Sequence, residues 1–152
     1  MIEVGRKAPA FTLNDQDGNS VSLKSLRGQK VILYFYPKDD TPGCTKQACG
    51  FRDQTGDFAK ANAIILGISP DDEASHQKFT GKFDLPFQLL ADTEHTACEA
   101  YGVWKEKNMY GRKYMGVERS TFIIDEEGTL IGEQRKVKVD GHVQAMLAEV
   151  QA

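Results

Sequence analysis

The chain has few cysteines, few prolines and no long hydrophobic run, and each shortage excludes something. Three cysteines in 152 residues are too few, and odd in number, for a disulfide scaffold. They occur in neither CxxC nor HxxxH spacing, so a zinc site has little support. The longest mainly apolar runs, Val31–Pro37 and Ala63–Ile68, fall far short of the ~20 residues that cross a bilayer, and no membrane association is expected. An excess of positive charge is also missing. With 19 Lys+Arg against 22 Asp+Glu the net charge is -3, which argues against a nucleic-acid binder. The first residues, Met-Ile-Glu-Val-Gly-Arg-Lys, are charged and lead into no apolar signal core. A cytoplasmic protein in a reducing compartment is the expectation, and a cysteine there is either a buried filler or chemistry.

What is present reads as one domain over residues 1–152, with 40% hydrophobic and 27% charged residues and no repeat or linker. Phe11–Leu13 and Val21–Leu23 flank the turn cluster Asp15-Gln16-Asp17-Gly18-Asn19, predicting an N-terminal β-hairpin. Val31–Tyr36, Ala63–Ile68 and Thr121–Ile124 are continuous apolar runs of the kind that form strands covered on both faces. Leu130–Val137 reads as the hairpin partner of the third. Helices are expected over residues about 42–60, Asp72–Phe83, Thr93–Tyr101 and the C-terminus. In the last, Val143, Met146, Leu147 and Val150 repeat at helical spacing behind Asp140 as cap. Gly111–Gly116 reads as a loop. Strands alternating with helices predict an α/β fold, a mixed central sheet flanked by helices.

The chemistry points to Tyr36-Pro37-Lys38-Asp39-Asp40-Thr41-Pro42-Gly43-Cys44-Thr45-Lys46-Gln47-Ala48-Cys49. Thr41 is placed as N-cap and Pro42 as first helical residue, where a missing N–H costs nothing. Cys44 then lies in the first turn, where unpaired N–H groups and the helix dipole favour a thiolate, the nucleophilic form. At ~100° per residue Cys44 falls near the Phe51/Thr55/Phe58 face, whereas Cys49 lies about 140° round from it. Packing therefore explains Cys49 poorly. Asp39 and Asp40 are expected to face solvent, leaving a cation from elsewhere to complete the site. Cys98 reads as a small buried hydrophobe, and His76, His95 and His142 as solvated surface residues.

These residues resemble a known family. Pro37 to Cys44 matches the Pro-x-x-x-Thr-x-x-Cys signature of peroxiredoxins. The wording Tyr-Phe-Tyr-Pro…Thr-Pro-Gly-Cys-Thr-x-Gln-Ala-Cys is similar to the bacterioferritin-comigratory-protein, or peroxiredoxin Q, branch. Gly5–Phe11, Leu66–Ser69, Tyr101–Trp104 and Arg119–Asp125 extend the similarity nearly end to end. The resemblance implies a thioredoxin-like fold and a thiol peroxidase for hydrogen peroxide and organic hydroperoxides, with no metal or organic cofactor. It implies Cys44 as the peroxidatic cysteine, Thr41 as the hydroxyl that positions peroxide, Pro37 as a shield of the pocket and Arg119 as the cation. Cys49 matches the resolving cysteine of one subset. Other members carry theirs on the following helix, and here Asp72–Phe83 has none. Thioredoxin is the implied reductant and a monomer the implied state. Cys98 matches a third cysteine without an assigned role. A thiol–disulfide exchanger on this fold would use C-x-x-C, and the C-x-x-x-x-C here is too wide for that geometry in an intact helix.

Overall fold

The computed structural model describes residues 2–151. Thr12–Asn14 (β1) and Ser20–Ser22 (β2) form the N-terminal hairpin, and a short 3-10 helix at Leu23–Leu26 leads into Lys30–Phe35 (β3). Then follow Pro42–Lys60 (α1), Ala63–Ser69 (β4), Glu73–Phe83 (α2), Gln88–Ala91 (β5) and Thr96–Ala100 (α3). Trp104–Met109 (β6) and Arg112–Val117 (β7) precede Ser120–Ile124 (β8), Leu130–Gln134 (β9) and His142–Gln151 (α4). Seven strands form one sheet in the order β2-β1-β5-β4-β3-β8-β9. β3, β4 and β5 are parallel, and β8 joins β3 antiparallel with Val31 opposite Ile124 and Phe35 opposite Ser120. This is the expected mixed sheet, and the fold is thioredoxin-like.

The apolar runs are buried because both faces of the sheet are covered. Ile32, Tyr34 and Tyr36 point to one face, where Cys44, Ala48, Phe51 and Phe58 of α1 and Val143, Met146, Leu147 and Val150 of α4 pack on them. Val31, Leu33 and Phe35 point to the other, with Phe122, Ile124, Cys98 and Tyr101. The period-2 alternation along β3 thus feeds two cores. Among the described residues no helix is long and apolar enough to cross a membrane.

Four local expectations need correction. Residues 111–116, expected as a loop, are mostly β7, paired with β6 from Trp104 opposite Val117 to Met109 opposite Arg112. Tyr110 and Gly111, at φ 53° and 80°, make the two-residue turn. This hairpin stands apart from the main sheet and exposes Met109, Tyr110, Tyr114 and Met115, so it carries no buried-strand pattern. The helix expected from Thr93 begins only at Thr96, because His95 takes a left-handed conformation at φ 64°. Asp140 pairs with the Lys46 ammonium on α1. His76 and His142 are buried, while His95 is half-buried against Trp104, its ring stacked at 3.8 Å between centroids. Both buried histidines lie on the inward faces of their helices, His76 one turn before Phe79 and His142 one turn before Met146.

Candidate active site

β3 ends at Phe35 and the chain crosses Tyr36–Thr41 before α1 begins at Pro42. Thr41 has the extended backbone of an N-cap, but its side chain does not cap: Oγ1 donates to the Lys38 carbonyl at 2.9 Å. That bond closes the loop on itself. Asp40 turns it, at φ 58°, a conformation costing a non-glycine residue of order 1 kcal/mol.

Cys44 lies in the first turn of α1, only 2% exposed, beneath the helix N-terminus. Arg119, from the link between β7 and β8, reaches it across the sheet end. Nη2 donates to the Cys44 Sγ at 3.1 Å and Nη1 donates to the Gln47 Oε1 at 2.5 Å. Gly43 makes room for this approach, since a methyl group there would sit 3.3 Å from Nη2. A guanidinium and the N-terminal dipole thus both favour negative charge on one sulfur.

Gln47 was missed in the sequence, although it stands one turn from Cys44, where i and i+3 side chains meet. It is fully buried, its Oε1 orients Arg119, and its Nε2 has no partner among the described residues. Lys107 is a second unanticipated residue, a cation. Its stem lies on Gly116, with Cδ 3.3 Å from where a methyl would project. Burial and the Arg119 charge lower its pKa, while the charge of Cys44 acts the other way. Tyr34, its hydroxyl buried and without a partner among the described residues, has its pKa raised by burial and then by the Cys44 charge. Such a hydroxyl stays protonated.

The remaining expected site residues lie differently. Pro37 is half-buried just past β3, on the loop that Thr41 closes, and neither side chain hydrogen-bonds the thiol. Cys49 is half-buried on another side of α1, in a groove lined by Lys46, Asp53, Val139, Asp140 and Val143. All three cysteines are free thiols. Cys98 is fully buried under the opposite face of the sheet, and burial followed by the Asp92 carboxylate pushes its thiol pKa far up.

Asp39, expected in solvent, is buried. Its carboxylate takes the Tyr36 hydroxyl at 2.5 Å, the Ser75 hydroxyl at 2.8 Å and His76 Nδ1 at 2.7 Å. Asp40 does face solvent, paired with Lys82. Asp39, Asp71 and His76 bring three ligand-type atoms within 4.8 Å of one another. The donors and acceptors of this cluster already bond to each other and to neighbouring hydroxyls.

A helix-head cysteine after the central strand of a thioredoxin-like sheet defines the class to which comparison with known proteins points: the protein is an enzyme of the peroxiredoxin class. A family model described as AhpC/TSA family matches residues 4–132. Peroxiredoxin Bcp of Bacillus subtilis is 53% identical over 146 residues, covering 96% of this chain and 93% of that one. Peroxiredoxin Bcp of Escherichia coli is 43% identical over 146 residues, covering 96% and 94%. Among solved structures, the bacterioferritin comigratory protein of Xanthomonas campestris superposes with a TM-score of 0.92 at 40% identity, covering 98% of both chains. That structure was described for its alkyl peroxide reduction activity, with trapped intermediate and ligand complexes. The chain belongs to the AhpC/TSA family, and its high-identity relatives are Bcp peroxiredoxins.

Proposed function

We propose that this peroxiredoxin reduces hydrogen peroxide and organic hydroperoxides, alkyl hydroperoxides among them, through Cys44. The thiolate attacks the nearer peroxide oxygen in line. The O–O bond breaks, Cys44 takes the attacked oxygen with its hydrogen as a sulfenic acid, and the departing oxygen takes up from solvent the proton the thiol had released, leaving as water or alcohol. Negative charge develops on that oxygen, so donors fixed around it lower the barrier most. The observation that carries this reading is the Arg119 Nη2 at 3.1 Å from Cys44 Sγ, in the first turn of α1. One guanidinium is suited both to stabilising the thiolate and to holding the peroxide. The Thr41 hydroxyl supplies a second contact to the oxidant, and Pro37 screens the pocket from water.

Cys49 then condenses with the sulfenic acid, releasing water and leaving a Cys44–Cys49 disulfide. Thioredoxin, or a dithiol like it, opens that bond by exchange and restores both thiols. A reducing cytosol is the compartment that sustains this cycle, and antioxidant defence its use.

Intact-mass analysis after one equivalent of peroxide tests the scheme. Wild type should lose two hydrogens as the disulfide forms, Cys49→Ser should gain one oxygen, and Cys44→Ser should stay unchanged. Thioredoxin-coupled turnover retained in Cys44→Ser would overturn the assignment of the nucleophile.

A further inference from the structure

His76 stands outside the chemistry just described, yet it is fully buried and contacts the loop that carries Pro37 and Thr41. Its two ring nitrogens define its protonation. Nε2 lies 2.9 Å from the Leu90 carbonyl, which only accepts, so Nε2 carries a hydrogen. Nδ1 lies 2.7 Å from Asp39 Oδ2. A bare Nδ1 would set one lone pair against another at a distance too short for any molecule to lie between them. A proton therefore sits in the contact. Tyr36 Oη and Ser75 Oγ already donate to the Asp39 carboxylate, which supports it as the anion. The proton accordingly belongs to the imidazole.

We propose that His76 is a positioning residue, an imidazolium that clamps Asp39 and so holds the loop from Pro37 to Thr41 in place for peroxide. The clamp has four contacts on Asp39. The carboxylate takes Tyr36, Ser75 and His76, and the backbone N–H donates to Asp71 Oδ2 at 2.8 Å. Asp71 is in turn held by the Ser69 hydroxyl at 2.6 Å. Two residues later Thr41 closes the loop onto Lys38, so the site of its hydroxyl is inherited from Asp39. Removing the Nδ1 proton turns an attraction into a repulsion and loosens the loop against α2, leaving Ser75 and Lys82 to hold it there. The groups that face the imidazole are Tyr36 and Asp39 from the loop after β3, Asp71 two residues past β4, and the Leu90 carbonyl of β5. No basic side chain is among them in the described residues, so nothing nearby opposes its positive charge.

The proposal rests on Cys44 as the nucleophile, and its first test does not. Nitrogen-15 NMR of the imidazoles in reduced wild type at neutral pH should show N–H signals at both ring nitrogens of His76. A single N–H, with the proton on Asp39 or absent, would overturn the clamp whatever Cys44 does. The second test is kinetic. His76→Leu should lower the rate constant of Cys44 with peroxide about 100-fold, the usual result of displacing a reactant by an ångström, while the pH midpoint of thiolate absorbance stays where it was. In Asp39→Asn an amide donates to an unprotonated Nδ1, so no shared proton is needed. That conservative variant should recover most of the rate, and the ratio of wild-type to Asp39→Asn rate should fall as base removes the Nδ1 proton. A flat ratio, or Asp39→Asn as slow as His76→Leu, refutes the idea. If His76→Leu fails to fold, the NMR spectrum and the Asp39→Asn profile still decide.

Discussion

Oxidation should unwind the start of α1, and the geometry sets how far. Residues five apart in a helix are separated by ~7.5 Å along the axis and ~140° around it, so the Cys44 and Cys49 Cα atoms stand roughly 8.6 Å apart. A disulfide needs them within about 7 Å with side chains converging. Both cysteines lie inside the continuous helix Pro42–Lys60, so the bond requires its first turns to open. The N–H groups of Thr45 through Cys49 then lose their helical carbonyls, Thr45 giving up Thr41 at 2.8 Å. At about 1 kcal/mol net per bond, opening costs roughly 5 kcal/mol. Gly43 and Gly50 each weaken the helix by about 1 kcal/mol relative to Ala, which brings the cost down to about 3 kcal/mol. The open form is then on the order of one molecule in 200. Leaving Arg119 and the buried pocket of Gln47 makes it rarer still. In the reduced protein the amides of 45–49 should therefore exchange at least ~200-fold more slowly than in an unstructured chain. In the oxidised protein that protection should vanish and far-UV circular dichroism should lose helical signal. Because opening is rare, excess peroxide should carry part of Cys44 on to the sulfinic acid before Cys49 arrives. Equal protection and equal helicity in the two states, with a Cys44–Cys49 bond confirmed by mass, would refute the reasoning.

Arg119→Met should slow the reaction of Cys44 with peroxide by ~10- to 100-fold, the loss of about 2 kcal/mol carried by a charge-assisted hydrogen bond; stopped-flow kinetics checks this, and an unchanged rate would show that the 3.1 Å contact is incidental. Cys98→Ser should retain near wild-type turnover, because burial keeps that thiol protonated beneath the opposite face of the sheet; a collapse of activity in a folded variant would contradict it. Acid should destabilise the fold through His142, whose Nε2 lies 2.8 Å from the Thr121 hydroxyl and whose pKa is lowered from 6.5 to about 4 by burial and then by the Arg119 charge. Above pH 6.5 neither folded nor unfolded chain holds its proton. Between 6.5 and 4 only the unfolded chain does, so stability falls with pH, by about 2 kcal/mol after allowance for solvent screening. Urea unfolding of wild type and His142→Gln at pH 7 and pH 4.5 measures it, and equal losses in both would remove His142 as the cause.

The local chemistry of this protein is written in short stretches of chain. The apolar runs at 31–36, 63–68 and 121–124 determine buried strands because only a sheet covered on both faces uses such runs. Thr41-Pro42-Gly43-Cys44 determines a helix head with a cysteine in its first turn, since capping preference and the N–H groups left unpaired there depend on neighbours alone. The β6–β7 hairpin was illegible for the opposite reason: its faces are largely exposed, and burial is what writes alternation into a strand.

What only the tertiary structure decided are the meetings between distant segments. Arg119 reaches Cys44 across 75 residues because β8 pairs antiparallel with β3 and delivers its start beside the head of α1. Sequence similarity named the arginine, but pairing supplies the contact. The aspartates and histidines show the same division. Polar flanks made Asp39, His76 and His142 read as solvated, yet each lies buried with a partner from another segment: His76 for Asp39, Thr121 for His142. A charged or polar side chain enters a core only when a partner satisfies it there, and which partner arrives is a property of the assembled sheet and helices rather than of any stretch of chain.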